Sequence, residues 1–355
     1  MASMKDVAAR AGVSISTVSH VLNNTRFVSP ATLAAVQKAI GELGFHPNAA
    51  ARLLASGASD VLGLIISDIA NPFFPEMVKS FEAAALAMSY EIALANTNYA
   101  PRRTVACVER MIMSRVRGLA VMTSEMEPEL MQKLRRHRVP VVYLDSGAVD
   151  VYASNIVVDY PQGIRQAVAH LADQGHTRIG FVSGPDTLRS ARRRRSAFEQ
   201  CMAELGMRPL IECGDMRQTG GEEAGKRLLQ AAQPPTGILA ANDLMAFGVL
   251  RAVRAAGLRV PEDISVAGFD DILFSAETEP PLTTVDLSRP RLGAVAAEAL
   301  RHLISSPRHM GAEYRIGTQL ITRASTGPAP RGAERRGRPT LASRGKLAAG
   351  GGARR

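Results

Sequence analysis

Five residues near the start of the chain, Ser14, Ile15, Ser16, Thr17 and His20, fall within seven positions and carry chemistry suited to the edges of base pairs. Hydroxyl and imidazole groups hydrogen-bond base edges, and isoleucine can touch a thymine methyl group. Positions four apart are neighbours on a helix, so Ile15, Ser16 and His20 crowd onto one face. A second set is spread along the chain. Asp145, Asn242 and Asp270 each follow a short apolar run, Ser190 and Arg194 sit four apart in one helical stretch, and Phe73-Phe74 follow Asn71-Pro72. Carboxylates and amides hydrogen-bond a polyol in pairs, and aromatic rings pack on its apolar face. Asp145 and Asp270 also suit, by residue type, an acid/base pair for glycoside hydrolysis. The chain has no GxSxG, HExxH, P-loop or GxGxxG pattern, and its seven histidines lack metal-ligand spacing. No catalytic residue, metal or cofactor is therefore expected.

The first set needs a helix to present it, and the flanking residues predict one. Val7, Ala8 and Ala11 bury one face of a short helix, Gly12 permits a tight turn, and Ser14 caps a second helix whose Val18, Val21 and Leu22 face inward. A third helix starts at Ser29-Pro30, runs through Leu33, Val36, Ile40 and Leu43, and stops at Gly44. The spacing predicts a helix-turn-helix over residues 1–46, its second helix entering the major groove and Arg26 joining the DNA-facing set. A plain three-helix bundle would give the same pattern.

The second set needs a cleft. Apolar runs at 61–66, 91–95, 118–122 and 140–144, and again at 178–182, 237–241 and 264–269, alternate with helix-length segments. Two doubly wound α/β subdomains with parallel sheets are expected over residues 61–326, and ligands in such sheets bind beyond the carboxyl ends of the strands. Neighbouring structure offers each candidate a second role: Asp270-Asp271 could cap a turn, Phe73 could be core, and the Arg192–Arg195 run could be a solvated face.

Charge and composition narrow the class. A net charge of +10 divides into +2 over residues 1–60, +1 over the body and +7 from Gly327 onward. That last segment, 327–355, is rich in Gly, Ala, Pro and Arg and is expected to be a disordered basic tail. Its Arg336-Gly337-Arg338-Pro339 is similar to the core of an AT-hook, although nonspecific phosphate attraction suffices to explain its arginines. With 46% apolar residues, three cysteines without CxxC spacing, no apolar leader and no long apolar run, a cytoplasmic protein with reduced, buried thiols and no membrane partner is expected.

Lys5-Asp6-Val7-Ala8, Ala11-Gly12-Val13-Ser14 and Thr17-Val18-Ser19-His20-Val21-Leu22-Asn23 resemble the DNA-binding domain of the lactose-repressor (LacI/GalR) family. Gly175–Phe181, Ala240–Ala246, Val260–Asp271 and Pro280–Val285 are similar to that family's effector-binding core, which has the fold of periplasmic sugar-binding proteins. The resemblance implies a hinge helix and linker at 47–60, with Ala51 and Leu54 at the DNA and Leu54 wedged into the minor groove. A segment of about eight residues is too short to be a stable helix alone, so it would order on DNA. The resemblance further implies an effector site containing Asp145, Asn242, Asp270 and Arg194, the last matching an arginine that clamps sugars. Met216 stands where relatives often have a stacking aromatic, and Leu188 where the purine-responsive branch has an arginine; a sugar or sugar acid is thus expected over a planar base. A homodimeric regulator, a repressor on a palindromic operator, is expected. A transporter's solute-binding protein and a purine-type corepressor-dependent repressor are the alternatives.

Overall fold

A computed structural model describes residues 2–23, 26–45, 59–123, 126–146, 149–306, 308 and 310–330. The chain divides between Ser59 and Asp60 into two units.

In the first unit, helices α1 (Met4–Ala11), α2 (Ile15–Asn23) and α3 (Pro30–Leu43) enclose Val7, Ala8, Val18, Val36, Ala39 and Phe45. Each start is written locally. Ser3 and Asp6 form a reciprocal capping box, the Ser14 hydroxyl accepts from the Thr17 amide at 3.1 Å, and Ser29 accepts from Thr32 ahead of Pro30. Gly12 ends α1 at φ 66°, a left-handed conformation that glycine adopts without a Cβ clash. Two details differ from expectation. Leu33 is 37% exposed instead of core, and Phe45, just past the third helix, fills the space beneath it.

The second unit holds two six-stranded sheets. Strands β1 (Val61–Ile66), β2 (Glu91–Asn96), β3 (Gly118–Met122), β4 (Val141–Leu144), β5 (Ala153–Val158) and β11 (Glu313–Ile316) form the first sheet, in the order β11-β5-β4-β3-β1-β2 and wholly parallel. Strands β6 (Ile179–Ser183), β7 (Leu210–Cys213), β8 (Gly237–Ala240), β9 (Ser265–Asp270), β10 (Thr283–Asp286) and β12 (Gln319–Ile321) form the second, ordered β12-β10-β9-β8-β6-β7, with only β12 antiparallel. Helices α4 (Phe73–Ala87), α5 (Pro101–Met113), α6 (Pro128–Arg136) and α11 (Arg289–Ser305) belong to the first subdomain; α7 (Tyr160–Asp173), α8 (Arg189–Glu204), α9 (Gln218–Leu229) and α10 (Asp243–Ala255) belong to the second. In each sheet strand order reverses beside the first strand, between β1 and β3 and between β6 and β8, which opens a crevice at the carboxyl ends. The chain passes between subdomains three times: from β5 into α7, from β10 into α11, and from β11 to β12.

The predicted strands are present, and β5, β7, β10, β11 and β12 are additional. Packing also continues past residue 326. Buried His176 faces Thr236 at 2.9 Å, Ser265 at 3.0 Å and the Gly327 carbonyl at 3.1 Å, and the Ala329 amide donates to Gln174. Gly327 and Ala329, expected in the tail, thus pack on the second unit; residues 331–355, with the Arg336–Pro339 motif, lie outside the described residues, as do 46–58, with Ala51 and Leu54. Cys107 and Cys201 are buried as expected, while Cys213 is exposed. Among the described residues no helix is long and apolar enough to cross a membrane.

Burial drives the His176 pKa down to about 4, against the Gly327 hydrogen bond that raises it. Protonation thus favours the unfolded chain: the core should lose stability as pH falls from about 6.5 towards 4, by at most about 3 kcal/mol from this group. Urea unfolding at stepped pH should show His176→Gln losing that slope; an unchanged slope would assign the acid sensitivity elsewhere.

Candidate functional site

The crevice is built from strand ends. Ser67 follows β1, Thr123 follows β3, and Asp145 follows β4 in a left-handed conformation (φ 55°) that turns the chain out of the sheet. Ser67 donates to Thr123 across the strand-order reversal at 2.9 Å. Asn71 accepts from the Phe73 amide at 3.0 Å, starting α4, and the Phe73 and Phe74 rings meet edge to face at 5.0 Å. From the second subdomain come Tyr160, Ser190, Arg194, Met216 and Asp270.

Arg194 is the centre of the arrangement. It is 4% exposed; its guanidinium donates to the Ala241 carbonyl at 2.6 Å and to the Asp270 carboxylate at 3.1 Å, and lies over the rings of Phe269 (4.3 Å) and Tyr160 (4.6 Å). Its Nε is buried without an acceptor among the described residues. Asp270 is pushed up to about 6 by burial, with Arg194 and Arg289 pulling against the shift, and its own carbonyl accepts from Arg289.

Asp145 accepts from the Val158 amide at 3.1 Å and the Tyr160 hydroxyl at 2.8 Å, and pairs with Arg193. Burial raises its pKa, and Arg193 opposes that most strongly. Further arginines of the second subdomain reach across the crevice. Arg189 donates to the carbonyls of Asp145 and Ser146 (3.3 and 2.8 Å), and Arg217 to Asn98 at 3.0 Å. The free volume left between these groups is only about 50 Å³, room for a water or two. A larger cavity, about 450 Å³, lies elsewhere, against α6; the crevice is nonetheless where the converging polar groups are.

Of the residues expected at the effector site, Phe73, Phe74, Asp145, Ser190, Arg194, Met216 and Asp270 line this crevice. Asn242 is corrected: it is fully buried behind it, its Oδ1 capping α10 through the Met245 amide and its Nδ2 donating to the Met216 carbonyl, both at 2.9 Å. Its role is to hold Met216, at φ 67°, in place. Met216 presses on Gly184 so closely that a Cβ there would fall 2.4 Å from its sulfur, so any larger residue at 184 would have to displace the Met216 side chain. Leu188 is core at the start of α8 and not a lining residue. The sequence reading missed Tyr160, Arg189, Arg193 and Arg217. The i, i+4 spacing of Arg189 and Arg193 was the available signal, masked by the surrounding arginines. It also missed Asp243, which accepts from Ile272, Ser275 and Thr284 and is pushed up to about 7 by burial and the nearby Asp270 charge.

On the head, Ser14, Ile15 and Ser16 are exposed at the start of α2, Thr17 and His20 are half-buried within it, and Arg26, past its end, is exposed. The Ser14 hydroxyl is shared with Ser16 (2.7 Å) and Thr17 (2.8 Å), so Ser14 acts first as a cap. No group of three or more His, Cys, Asp or Glu among the described residues is placed to hold a metal.

Residues 3–48 match the model for bacterial regulatory proteins of the lacI family, and 168–326 that for a periplasmic binding protein-like domain. The ribose operon repressor of Escherichia coli (strain K12) is 36% identical over 92% of this chain and 100% of its own length. The transcriptional repressor PurR of Aliivibrio salmonicida is 33% identical over 92% and 99%. Among solved structures, the Lac repressor dimer bound to operator and an anti-inducer superposes with a TM-score of 0.81 at 29% identity, covering 92% of this chain and 99% of that one. A CelR–cellobiose complex gives 0.70 at 30%, covering 92% and 100%.

Removing the buried cation should expose the cost of its partner. Arg194→Ala should destabilise the core by about 3–5 kcal/mol by leaving Asp270 unpaired, and Arg194→Met combined with Asp270→Asn should recover much of the loss. Chemical denaturation distinguishes this from a purely ligand-binding arginine, for which the single variant would keep wild-type stability.

Proposed function

Because the chain belongs to the lacI family of bacterial regulatory proteins, we propose that it is an operator-binding transcriptional repressor whose grip on DNA is set by a small, sugar-like effector in the crevice. The unsatisfied Nε of buried Arg194 carries this reading. A donor buried without an acceptor costs about 1–3 kcal/mol, and a ligand oxygen there would recover it. Asp145 and Asp270 then serve as acceptors for hydroxyl groups, held in place by Arg193 and Arg194. Since both carboxylates are already paired, we assign them to binding and not to acid/base catalysis. Met216, in place of a stacking ring, favours a sugar over a purine. A corepressing purine is the second reading, kept because PurR proteins are among the relatives.

Two copies act together. Leu86 (70% exposed), Leu94 and Met113 (76%) are exposed apolar side chains on α4, edge strand β2 and α5, available to a second copy of the chain. A dimer presents two heads to a palindromic operator, each reading through Ile15, Ser16 and His20, with Leu54 at the centre. We place the protein in the cytoplasm with its DNA, and its targets among genes of carbohydrate use.

Closing 50 Å³ around a sugar requires the subdomains to part and re-close, which couples ligand to shape only if the two forms bind it unequally. Thermal-shift titration with pentoses, hexoses and hypoxanthine should give concentration-dependent stabilisation by a sugar, and the same compound should change operator affinity. Stabilisation by hypoxanthine alone would replace the sugar assignment with the purine one. In a gel-shift comparison, Leu54→Ala should weaken specific operator binding about 5- to 100-fold, the loss of one good DNA contact, while the sugar-induced shift is kept. Unchanged operator binding would remove Leu54 from the interface.

A further inference from the structure

The 450 Å³ cavity lies outside the crevice, between the outer side of α6 and the beginnings of β4 and β5. Val141 and Ala153 open those strands, whereas the crevice residues stand past the strands' carboxyl ends. The two hollows therefore occupy opposite ends of one sheet. Volumes of about 300–1,000 Å³ are usual for small-molecule sites, and this cavity falls in that range although the crevice does not.

Its polar inventory is unusual. Tyr143 lines the cavity and is 3% exposed, yet its hydroxyl has no hydrogen-bond partner among the described residues. Burial alone pushes its pKa far above the ordinary phenol value, with no hydrogen bond or charge opposing it. Asn155, paired in register with Tyr143 on the same face of the sheet, uses its Oδ1 for the Ser146 amide and leaves a buried Nδ2 without an acceptor. The Asn155 Nδ2 is thus a buried donor left unpaired among the described residues, which is rare, whereas the Tyr143 hydroxyl is open on the cavity side. The walls are apolar, from Met131, Val139, Val141 and Ala153. Among the described residues, the rim arginine Arg135 is paired with Asp150, and Glu129 adds a negative charge, which disfavours an anion there.

From this arrangement we propose that the first subdomain holds a second ligand site, which takes a small uncharged molecule with a ring-sized apolar body and a carbonyl or hydroxyl oxygen directed at Tyr143. It is independent of the crevice, and both sites can be occupied together.

Acetophenone has this chemistry, and benzoate is its anionic counterpart. With the full-length protein in saturation-transfer NMR, acetophenone should receive saturation and titrate to a millimolar-range Kd. Tyr143→Phe should weaken it about fivefold or more, the loss of one buried hydrogen bond, and Ala153→Leu should abolish it by filling the hollow. Arg193→Ala, in the crevice, should leave acetophenone binding unchanged, and benzoate should bind about tenfold more weakly or not at all. Circular dichroism and melting curves establish that the two cavity variants fold; if Tyr143→Phe does not, Ala153→Leu carries the test. The proposal is overturned by absence of saturation transfer to acetophenone, by transfer that survives Ala153→Leu, by transfer that Arg193→Ala abolishes, or by equal binding of benzoate. Those results bear on Tyr143 and its cavity alone, whereas the crevice assignment fails or stands with the sugar titration.

Discussion

A guanidinium buried beneath two aromatic rings is the constraint around which the core is arranged. Arg194 can stay charged at 4% exposure only because Asp270, the Ala241 carbonyl, and the faces of Tyr160 and Phe269 replace the water it has lost. Those four partners come from three elements: the end of β9, the turn after β8 and the start of α7. Satisfying one charge therefore fixes three strand and helix ends relative to α8, and these ends form one wall of the crevice. The same pairing explains why Asn242, although it lies next to Ala241, turns away to cap α10 and hold Met216.

The opposite wall is tied by cations reaching over from the second subdomain. Arg189, Arg193 and Arg217 end on Asp145, Ser146 and Asn98, while Tyr160 adds its hydroxyl to Asp145. The arginines in these contacts are more exposed than Arg194, although Asp145 itself is buried, and three strand-to-helix or strand-to-strand crossings connect the subdomains. A rigid inner wall facing a loosely latched outer one is a construction in which a bound polyol can alter subdomain closure by competing for the arginines. The energy available is the difference in its affinity for the two closures.

Much of this was legible in the sequence, and the limits have physical reasons. Central strands such as β3 and β6, buried on both faces, are continuous apolar runs and announce themselves. Strand β5 does not, since Ser154 and Asn155 interrupt its apolar run and are buried only by virtue of hydrogen bonds to Ala312 and Ser146. Edge strands β7, β11 and β12 bury one side over three or four residues, too short a stretch for alternation to register. Asp270 and Arg194 were recognisable as site residues through family resemblance. That they bind each other was not, because 76 residues separate them and pairing depends on where two chain segments meet.

What the sequence determined by itself was local: helix starts at Ser3, Ser14 and Ser29, the turn at Gly12, and the apolar runs that must become strands. Each of these is decided by hydrogen bonds and sterics within a few residues. Tertiary structure alone decided which polar groups are spent and which are left over. Asn242 is used up holding Met216, Arg135 is used up by Asp150, and among the described residues the Nε of Arg194 and the hydroxyl of Tyr143 remain without partners. Hydrogen-bonding capacity belongs to a residue, but whether any of it remains for a ligand depends on every neighbour that folding brings within about 3 Å.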